Sequence, residues 1–352
     1  MGKIRIGIIG TGNISHCHVD GYNVLGDVEI YAVCDIDEKK VKEYAIKYNV
    51  KHVYTDYNEM LKLEEIDAIS VCTYNSSHAA AAIAALKAGK HVFCEKPMAM
   101  NSKEAIEMKK AADDSGKLLM IGFVRRFGKD VSFIKDYMDE VDVGEIYFSK
   151  VCYLRRHGFP GGWFGDKKFS GGGPMIDLGV HVIDLAMYIM GKPKPVAVSG
   201  ATFYKMGERN NVKQAVGYMS STAIKEFEFS VEDLAVAMIR FDNGAVINVE
   251  TSFNLNIKGD TGTIELFGTN AGIKIGDGLE IYTECKGNLI NVTPAFSTAL
   301  DFTGIFRSEV AHFIDCIRNG TECISPAEDG VVLMQILEAV YKSAELGREV
   351  NI

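Results

Sequence analysis

The chain has 352 residues, of which 47% are hydrophobic, and its formal net charge is −9 at pH 7. This length predicts two domains or one large one, with enough apolar side chains for real cores. The negative charge argues against nucleic acid or an anionic membrane as the main partner. No apolar run is long enough to span a bilayer. The N-terminal apolar run is too short and too glycine-rich for a signal peptide.

The eight cysteines are scattered along the chain without a Cys-x-x-Cys pair. Several lie in apolar, strand-like runs, which is typical of reduced thiols in a protein core. We therefore expect a cytoplasmic protein with free cysteines, and neither a disulfide framework nor a zinc site. The histidines show no metal-ligand spacing, so the sequence predicts no bound metal.

The first predicted element is a β-strand at residues 3–9, followed by Gly-Thr-Gly-Asn-Ile-Ser at 10–15 and a helix. A second strand at 29–34 ends at Asp35. In such a unit the glycines allow a tight turn and close approach of a pyrophosphate to the helix N-terminus, while the acid binds the ribose hydroxyls. Strand, helix and acid are all in place, so the motif predicts a dinucleotide site that prefers NAD to NADP. Ser15 replaces the usual third glycine and is small enough for close packing.

Strands and helices then alternate as far as residue 123. Helices are predicted at 38–47, 57–63, 78–88 and 102–115, and strands near 53 and at 68–72, 91–94 and 118–123. This alternation predicts an α/β domain at 1–123, with a parallel sheet covered on both faces. Ligands of such sheets bind at the carboxyl ends of the strands. The residues predicted to contact the cofactor are Gly10, Gly12, Asn13, Ile14, Asp35, Thr73, Asn75, His78, Glu95 and Lys96.

After residue 123 the pattern changes to α+β. The first elements predicted here are a helix at 130–138, a strand at 145–154 and an irregular loop at 155–172. They are followed by strands at 195–203, 234–241, 245–253, 261–267, 272–275 and 279–283, and then by helices at 303–319 and 327–346. Polar residues at 205–230 predict a mobile loop. We predict a second domain at 124–352 with a large, mostly antiparallel open sheet, and a final helix that packs back on the first domain. An open sheet face needs cover, which predicts a homodimer or homotetramer.

The candidate catalytic residues lie in the run 171–184, where three glycines and a proline precede apolar residues. Pro174 suits the first position of a helix. Asp177 and His181 are four residues apart and Asp184 follows three later, a spacing that puts all three on nearly one helical face. A carboxylate beside an imidazole can orient it as a general base. The alternative is that Asp177 is an ordinary first-turn acid and His181 a core histidine; Asp184 is interpreted as structural.

Three motifs together resemble the Gfo/Idh/MocA oxidoreductase family over essentially the whole chain: Gly10-x-Gly12, Glu95-Lys96-Pro97, and Gly171-Gly-Gly-x-x-x-Asp177-x-x-x-His181. The sequence Thr73-Tyr74-Asn75 departs from the family's commoner Thr-Pro-Asn. The resemblance implies an N-terminal Rossmann domain, a C-terminal α/β domain whose open sheet often buries an oligomer interface, a nicotinamide cofactor, and a sugar, cyclitol or related polyol as substrate. It also implies that Lys96, Asp177 and His181 are catalytic and contact the substrate, and that Arg126 contacts the substrate.

The activity expected on this basis is the oxidation of a secondary alcohol by hydride transfer to nicotinamide. His181 accepts the hydroxyl proton, Asp177 orients the imidazole, and Lys96 stabilises charge on the oxygen. Two alternatives remain open, namely an NAD-dependent glycosidase or lyase that uses transient oxidation, and a non-catalytic sugar or NAD sensor on the same fold. Nothing in the sequence specifies one polyol over another.

Overall fold

The computed structural model describes residues 2–213, 219–220 and 228–352, so the loop predicted at 205–230 lies partly outside the described residues. The chain divides into two compact units. Residues 1–124 and 302–334 form the first unit, and residues 125–301 and 335–352 form the second. The division after residue 124 lies next to the boundary predicted at 123. Residues 302–334, in contrast, were predicted to belong to the second domain.

The first unit contains a six-stranded, fully parallel sheet, as predicted. Its strands are β1 (Ile4–Ile9), β2 (Val28–Cys34), β3 (His52–Tyr54), β4 (Ala68–Val71), β5 (His91–Cys94) and β6 (Leu119–Ile121). The spatial order is β3-β2-β1-β4-β5-β6, so strands are added first to one side of β1 and then to the other. In folds of this type the reversal leaves a crevice at the carboxyl ends of the two central strands, and ligands bind there.

Helices alternate with these strands. They are α1 (Asn13–Asn23), α2 (Glu38–Tyr48), α3 (Tyr57–Met60), α4 (Asn75–Lys87) and α5 (Ser102–Ser115). Local capping residues define several of the ends: the side chain of Asp37 accepts the Lys40 amide at the start of α2, and Asn101 accepts the Glu104 amide at the start of α5. The helix α4 begins three residues earlier than the predicted 78, so Asn75 is its first residue rather than part of a loop.

The second unit contains a nine-stranded mixed sheet with the order β14-β13-β12-β11-β7-β10-β9-β8-β15. Its elements are α6 (Lys129–Glu140), β7 (Ile146–Leu154), α7 (Lys167–Ser170), α8 (Val180–Ile189), β8 (Pro195–Phe203), β9 (Leu234–Phe241), β10 (Val246–Ser252), β11 (Thr261–Gly268), β12 (Gly272–Ile275), β13 (Leu279–Cys285), β14 (Asn288–Val292) and, at the chain end, β15 (Val350–Asn351). The strands β7 and β10 pair in parallel and the other pairs are antiparallel. The strands β14 and β15 were not predicted, because the first is largely exposed and the second is two residues long.

Residues alternate between the two faces of this sheet. One face carries a buried row formed by Ile264, Val151, Val249 and Ala237, which are paired across β11, β7, β10 and β9. The helix α8 packs against β7 and β11. The neighbouring row, which points to the opposite face, includes the exposed Glu250. The alternation confirms the predicted open sheet with one covered face.

Two helices precede β15, namely α9 (Phe302–Asn319) and α10 (Ala327–Leu346). The helix α9 packs against α1, and the ring of Phe313 lies 5.4 Å from that of Phe93 on β5. Between the helices, Ser325 extends the edge of the first sheet: its carbonyl accepts the Ile121 amide (3.0 Å) and its hydroxyl donates to the Ile121 carbonyl (2.6 Å). These contacts explain why residues 302–334 group with the first unit. Among the described residues, no helix combines the length and apolar character needed to cross a membrane.

Candidate active site

The glycine turn predicted from the sequence lies between β1 and α1. Gly10 has φ +89°, and a Cβ there would lie 2.6 Å from the carbonyl oxygen of Cys72, so the position requires glycine. Gly12 precedes the first residue of α1, and the nearest atom that a Cβ there would meet is 4.0 Å away. Ser15 is buried and donates to the Gly12 carbonyl (2.6 Å), so its hydroxyl supports the turn in place of a third glycine. The helix N-terminus beside Gly12 suits an anionic group.

The acid at the end of β2 meets this turn. Asp35 Oδ2 accepts both the backbone amide and the hydroxyl of Thr11, each at 2.8 Å, and Oδ1 accepts the Asp37 amide at 3.0 Å. The Lys40 ammonium lies 4.0 Å from Asp35 Oδ2. Ile36, directly after the acid, is 84% exposed, which leaves an apolar side chain open beside Asp35. In the sequence, only the position of Ile36 directly after the acid points to this residue.

A buried histidine lies between predicted cofactor residues at the ends of β4 and β5. His78 is 1% exposed, with Nδ1 2.8 Å from the Pro97 carbonyl oxygen and Nε2 3.2 Å from the Thr73 carbonyl oxygen. Burial lowers the pKa of His78, so the ring is neutral and donates one proton, which the shorter distance places on Nδ1. His78 therefore bonds to the segment at Pro97 and lies beside the Thr73 carbonyl without donating to it. Its burial argues against the predicted direct contact of this side chain with the cofactor; Asn75, 6% exposed, stands next to it at the start of α4.

Glu95 is also held within the first unit. Its Oε1 lies 2.8 Å from His18 Nε2 on α1, and its Oε2 accepts the Lys96 amide at 3.2 Å. The residue is 7% exposed, whereas Lys96 is half-buried, and the Lys96–Pro97 peptide bond is cis. The carboxylate thus fixes the backbone at Lys96, and its protein partners argue against the predicted contact of Glu95 with cofactor. No motif identified His18 from the sequence.

In the second unit, the predicted catalytic helix has two parts. Residues Met175–Gly179 form a π-helical turn, and α8 follows directly. Asp177 and His181 are half-buried, while Asp184 is 3% exposed. The three residues therefore differ in exposure, and Asp184 is buried although it follows His181 by only three residues within α8. Single π turns inside helices are frequent at functional sites.

A remote acid holds the start of this segment. Glu232 is 1% exposed; its Oε2 accepts the Gly173 amide (3.0 Å), and its Oε1 accepts the Met175 amide (3.1 Å) and the Tyr341 hydroxyl (2.8 Å). Amides in the first turn of a helix lack internal partners, and a carboxylate satisfies them. Burial raises the pKa of Glu232, although the three hydrogen bonds act in the opposite direction. A Cβ at Gly173 would lie 2.4 Å from the Glu232 carbonyl oxygen, so the glycine allows this close approach.

Arg126, predicted to contact substrate, is committed to a buried ion pair. Its Nε and Nη2 donate to Asp184 Oδ2 and Oδ1 at 3.0 and 2.5 Å, and its guanidinium carbon lies 4.7 Å from the ring centroid of Tyr188. The residue is 4% exposed. This arrangement indicates a structural role for both partners, as interpreted for Asp184, and argues against substrate contact by the Arg126 guanidinium.

A parallel sheet with a glycine turn after its first strand and an acid at the end of its second is typical of a dinucleotide-binding domain. Residues 4–123 match the family model described as the NAD-binding Rossmann fold of an oxidoreductase family, and residues 138–352 match the C-terminal alpha/beta domain of the same family. The chain therefore belongs to the Gfo/Idh/MocA family and is an oxidoreductase that acts on CH–OH groups.

Curated relatives extend over nearly the whole chain. D-glucoside 3-dehydrogenase of Escherichia coli is 35% identical, with 99% of this chain and 97% of the relative covered. Myo-inositol 2-dehydrogenase of Thermotoga maritima is 26% identical, with coverage of 99% and 98%.

Solved structures share the fold. An oxidoreductase domain protein from Kribbella flavida superposes with a TM-score of 0.88 at 23% identity, with both chains fully covered (100%). Levoglucosan dehydrogenase in complex with NADH and L-sorbose superposes with a TM-score of 0.86, also at 23% identity, with 100% of this chain and 99% of the other covered. At this identity the likeness concerns the fold alone.

Proposed function

We propose that this protein is an NAD-dependent dehydrogenase that oxidises a secondary hydroxyl of a sugar, a cyclitol or a related polyol. The observation that carries the proposal is the half-buried pair Asp177 and His181 within a segment whose neighbouring residues are buried. A polar pair that retains access to solvent in such surroundings suits proton transfer to and from a bound alcohol. The 35% identity to D-glucoside 3-dehydrogenase makes glucosides the first substrates to test.

The residues of the first unit fit a dinucleotide. Gly12 has no side chain at the start of α1, which favours close approach of a pyrophosphate. In the proposal Asp35 binds the adenosine ribose hydroxyls and the exposed Ile36 covers the adenine; Asn13, Ile14, Thr73 and Asn75 line the remainder of the site. When bound, the nicotinamide supplies the hydride acceptor. The negative charge of Asp35 disfavours a 2′-phosphate, which favours NAD over NADP.

The chain's own groups handle the hydroxyl proton. Neutral His181 accepts it as the substrate is oxidised, and Asp177 keeps the imidazole in the tautomer that can do so. The ammonium of Lys96 stabilises negative charge that develops on the oxygen. Glu95 and Glu232 act as positioning residues, the first for the backbone at Lys96 and the second for the segment that bears Asp177.

The test is a screen of glucosides, 1,6-anhydro sugars and inositols with NAD, read as NADH absorbance and as ketone product. We expect one NADH for each ketone formed. Loss of substrate without net NADH would instead identify the transient-oxidation glycosidase or lyase. Tight NAD binding without turnover of any sugar or polyol would support the sensor.

A further inference from the structure

A cluster of metal-type ligands lies at the end of α9, in the first unit. His312 and Cys316 are one helical turn apart, and Cys323 comes from the connection to α10. One ring nitrogen and the two sulfurs lie within 4.8 Å of one another. Sequence analysis predicted no metal because it found no ligand spacing among the histidines. The cluster forms only when the chain after α9 folds back on the helix.

The fold-back is built from hydrogen bonds that do not involve the sulfurs. The side chains of Asn319 and Thr321 both donate to the carboxylate of Asp315 on α9. Three residues after Thr321, the Ile324 amide donates to His312 Nε2 at 3.1 Å. The connection is therefore attached to α9 on both sides of Cys323, and the three candidate ligands are brought together in advance.

The same contacts define the protonation state of the histidine. A backbone amide can only donate, so His312 Nε2 must carry a lone pair and the ring proton must lie on Nδ1. Cys316 Sγ lies 3.3 Å from the same nitrogen. The imidazole nitrogen that lies next to Cys316 thus carries the lone pair that a metal requires.

We propose that His312, Cys316 and Cys323 form a binding site for a soft divalent cation of the zinc type. Two thiolates and one imidazole are ligands that zinc prefers to harder cations such as magnesium and calcium. Binding forms two metal–sulfur bonds and one metal–nitrogen bond, and both thiol protons pass to solvent. The metal takes the Nε2 lone pair, so the hydrogen bond from the Ile324 amide is broken. Because His312 and Cys323 are only half-buried, water completes the four-coordinate shell.

The expected role of the ion is to hold the connection between α9 and α10. Cys323 is followed by Ser325, which bonds to β6, so a metal at Cys323 restrains the segment that extends the edge of the first sheet. A ligand that binds the folded chain and not the unfolded chain raises the midpoint of thermal unfolding. This role is independent of the proposed dehydrogenase activity.

The experiment uses the full chain, reduced and freed of metal with a chelator, and Co²⁺ as the probe. We expect one equivalent of Co²⁺ to produce a thiolate-to-cobalt charge-transfer band and the visible bands of a tetrahedral ion, and we expect Zn²⁺ to displace them and raise the unfolding midpoint. Cys323→Ser should abolish the charge-transfer band or halve its intensity, since one thiolate is lost. Cys285→Ser, at an exposed cysteine outside the cluster, should leave the bands unchanged.

Cys323 is half-buried, so its serine variant is expected to fold, and circular dichroism of the metal-free form checks this. Three results would overturn the proposal: no band in the reduced wild type, a band of equal intensity in Cys323→Ser, or a loss of the band in Cys285→Ser. A disulfide between Cys316 and Cys323 that persists in the reduced sample, detected as two missing thiols, would also overturn it.

Discussion

Arg126 and Asp184 form a two-point ion pair inside the second unit, with the side chains 2% and 3% exposed. They are 58 residues apart in sequence, and neither belongs to a motif that pairs them. A buried pair of this kind is sensitive to the loss of one partner, because the remaining charge is then buried without compensation. Removal of one partner typically costs about 3–5 kcal/mol.

The first prediction follows from this pair. Arg126→Leu should lower the free energy of unfolding by about 3–5 kcal/mol, and the double variant Arg126→Leu with Asp184→Leu should recover much of that loss. Urea unfolding measures both. KM for the substrate should change little in the folded single variant. If stability is retained while KM rises strongly, Arg126 contacts the substrate as the sequence predicted.

The second prediction concerns the base. His181→Ala should lower kcat by about 10²–10⁴-fold while NAD affinity is retained, because the side chain acts on the substrate hydroxyl. In the wild type, kcat/KM for alcohol oxidation should fall as pH drops through the imidazole pKa, and ketone reduction should show the opposite trend. His52→Ala, on β3 of the first unit, is the control. A near-normal kcat and pH profile in His181→Ala would show that His181 is a core residue and not the base.

The third prediction concerns cofactor choice. Asp35→Ser should narrow the preference for NAD over NADP, because it removes the charge that repels a 2′-phosphate and leaves the Lys40 ammonium in place. The ratio of kcat/KM for the two cofactors is the measurement. Asp37→Ser makes the same change of charge two residues away and should leave that ratio almost unchanged, although it also removes the cap of α2. A wild-type preference for NADP would contradict the assignment of Asp35.

The fourth prediction concerns Glu232. Glu232→Gln replaces one acceptor oxygen with an NH₂ group that faces donors, so unfolding free energy should fall by about 1.5–3 kcal/mol and kcat should fall more than NAD affinity. Because burial raises the pKa of Glu232, the folded chain binds its proton more tightly than the unfolded chain. The difference in unfolding free energy between the wild type and the variant should therefore decline as pH rises from the ordinary glutamate pKa to the raised pKa of Glu232. Above that pH the difference should level off.

The matched control for this position is Glu145→Gln, because Glu145 is exposed. That variant should match the wild type in unfolding free energy and in kcat. If Glu232→Gln were as stable and as active as the control, the carboxylate would not position the segment that carries Asp177.

The fifth prediction concerns assembly. On the open face of the nine-stranded sheet, Phe148 and Phe267 stack with their centroids 5.6 Å apart, and Met238 on β9 is half-buried. We expect a homodimer or homotetramer that covers this face. Light scattering at micromolar concentration should return a multiple of the chain mass, and Met238→Glu should reduce it. The control variant Ile46→Glu, at a residue of α2 that is 82% exposed, should leave the measured mass unchanged. A monomer mass for the wild type would refute the expectation.

Much of the fold could be predicted from local signals. Apolar runs that alternate with helical patterns predicted the parallel sheet, because strands covered on both faces are continuously apolar. The motif at 10–15 and Asp35 were predicted together, and the structure places Thr11 in contact with that acid. Signals of this kind depend on residues that are close in sequence or that share a strand end.

Apart from Ile36, the residues that were missed or misplaced from the sequence depend on contacts made across the chain. Glu232 meets Met175 57 residues away, and no local pattern distinguishes it from a surface acid. The burial of Asp184 goes with its ion pair to Arg126, 58 residues away, which the local helical spacing does not reveal. Cys323 reaches Cys316 only because the chain turns back after α9.

The grouping of residues 302–334 with the first unit has a consequence for synthesis on the ribosome. When residue 124 leaves the exit tunnel, the nascent chain holds six parallel strands but lacks α9, which packs against α1, and Ser325, which bonds to β6. The ring of Phe93 lacks its packing contact with Phe313 until nearly two hundred further residues have been translated. A much later part of the chain thus completes the part that is made first, so the N-terminal unit cannot reach its full set of contacts until residues 302–334 have been made.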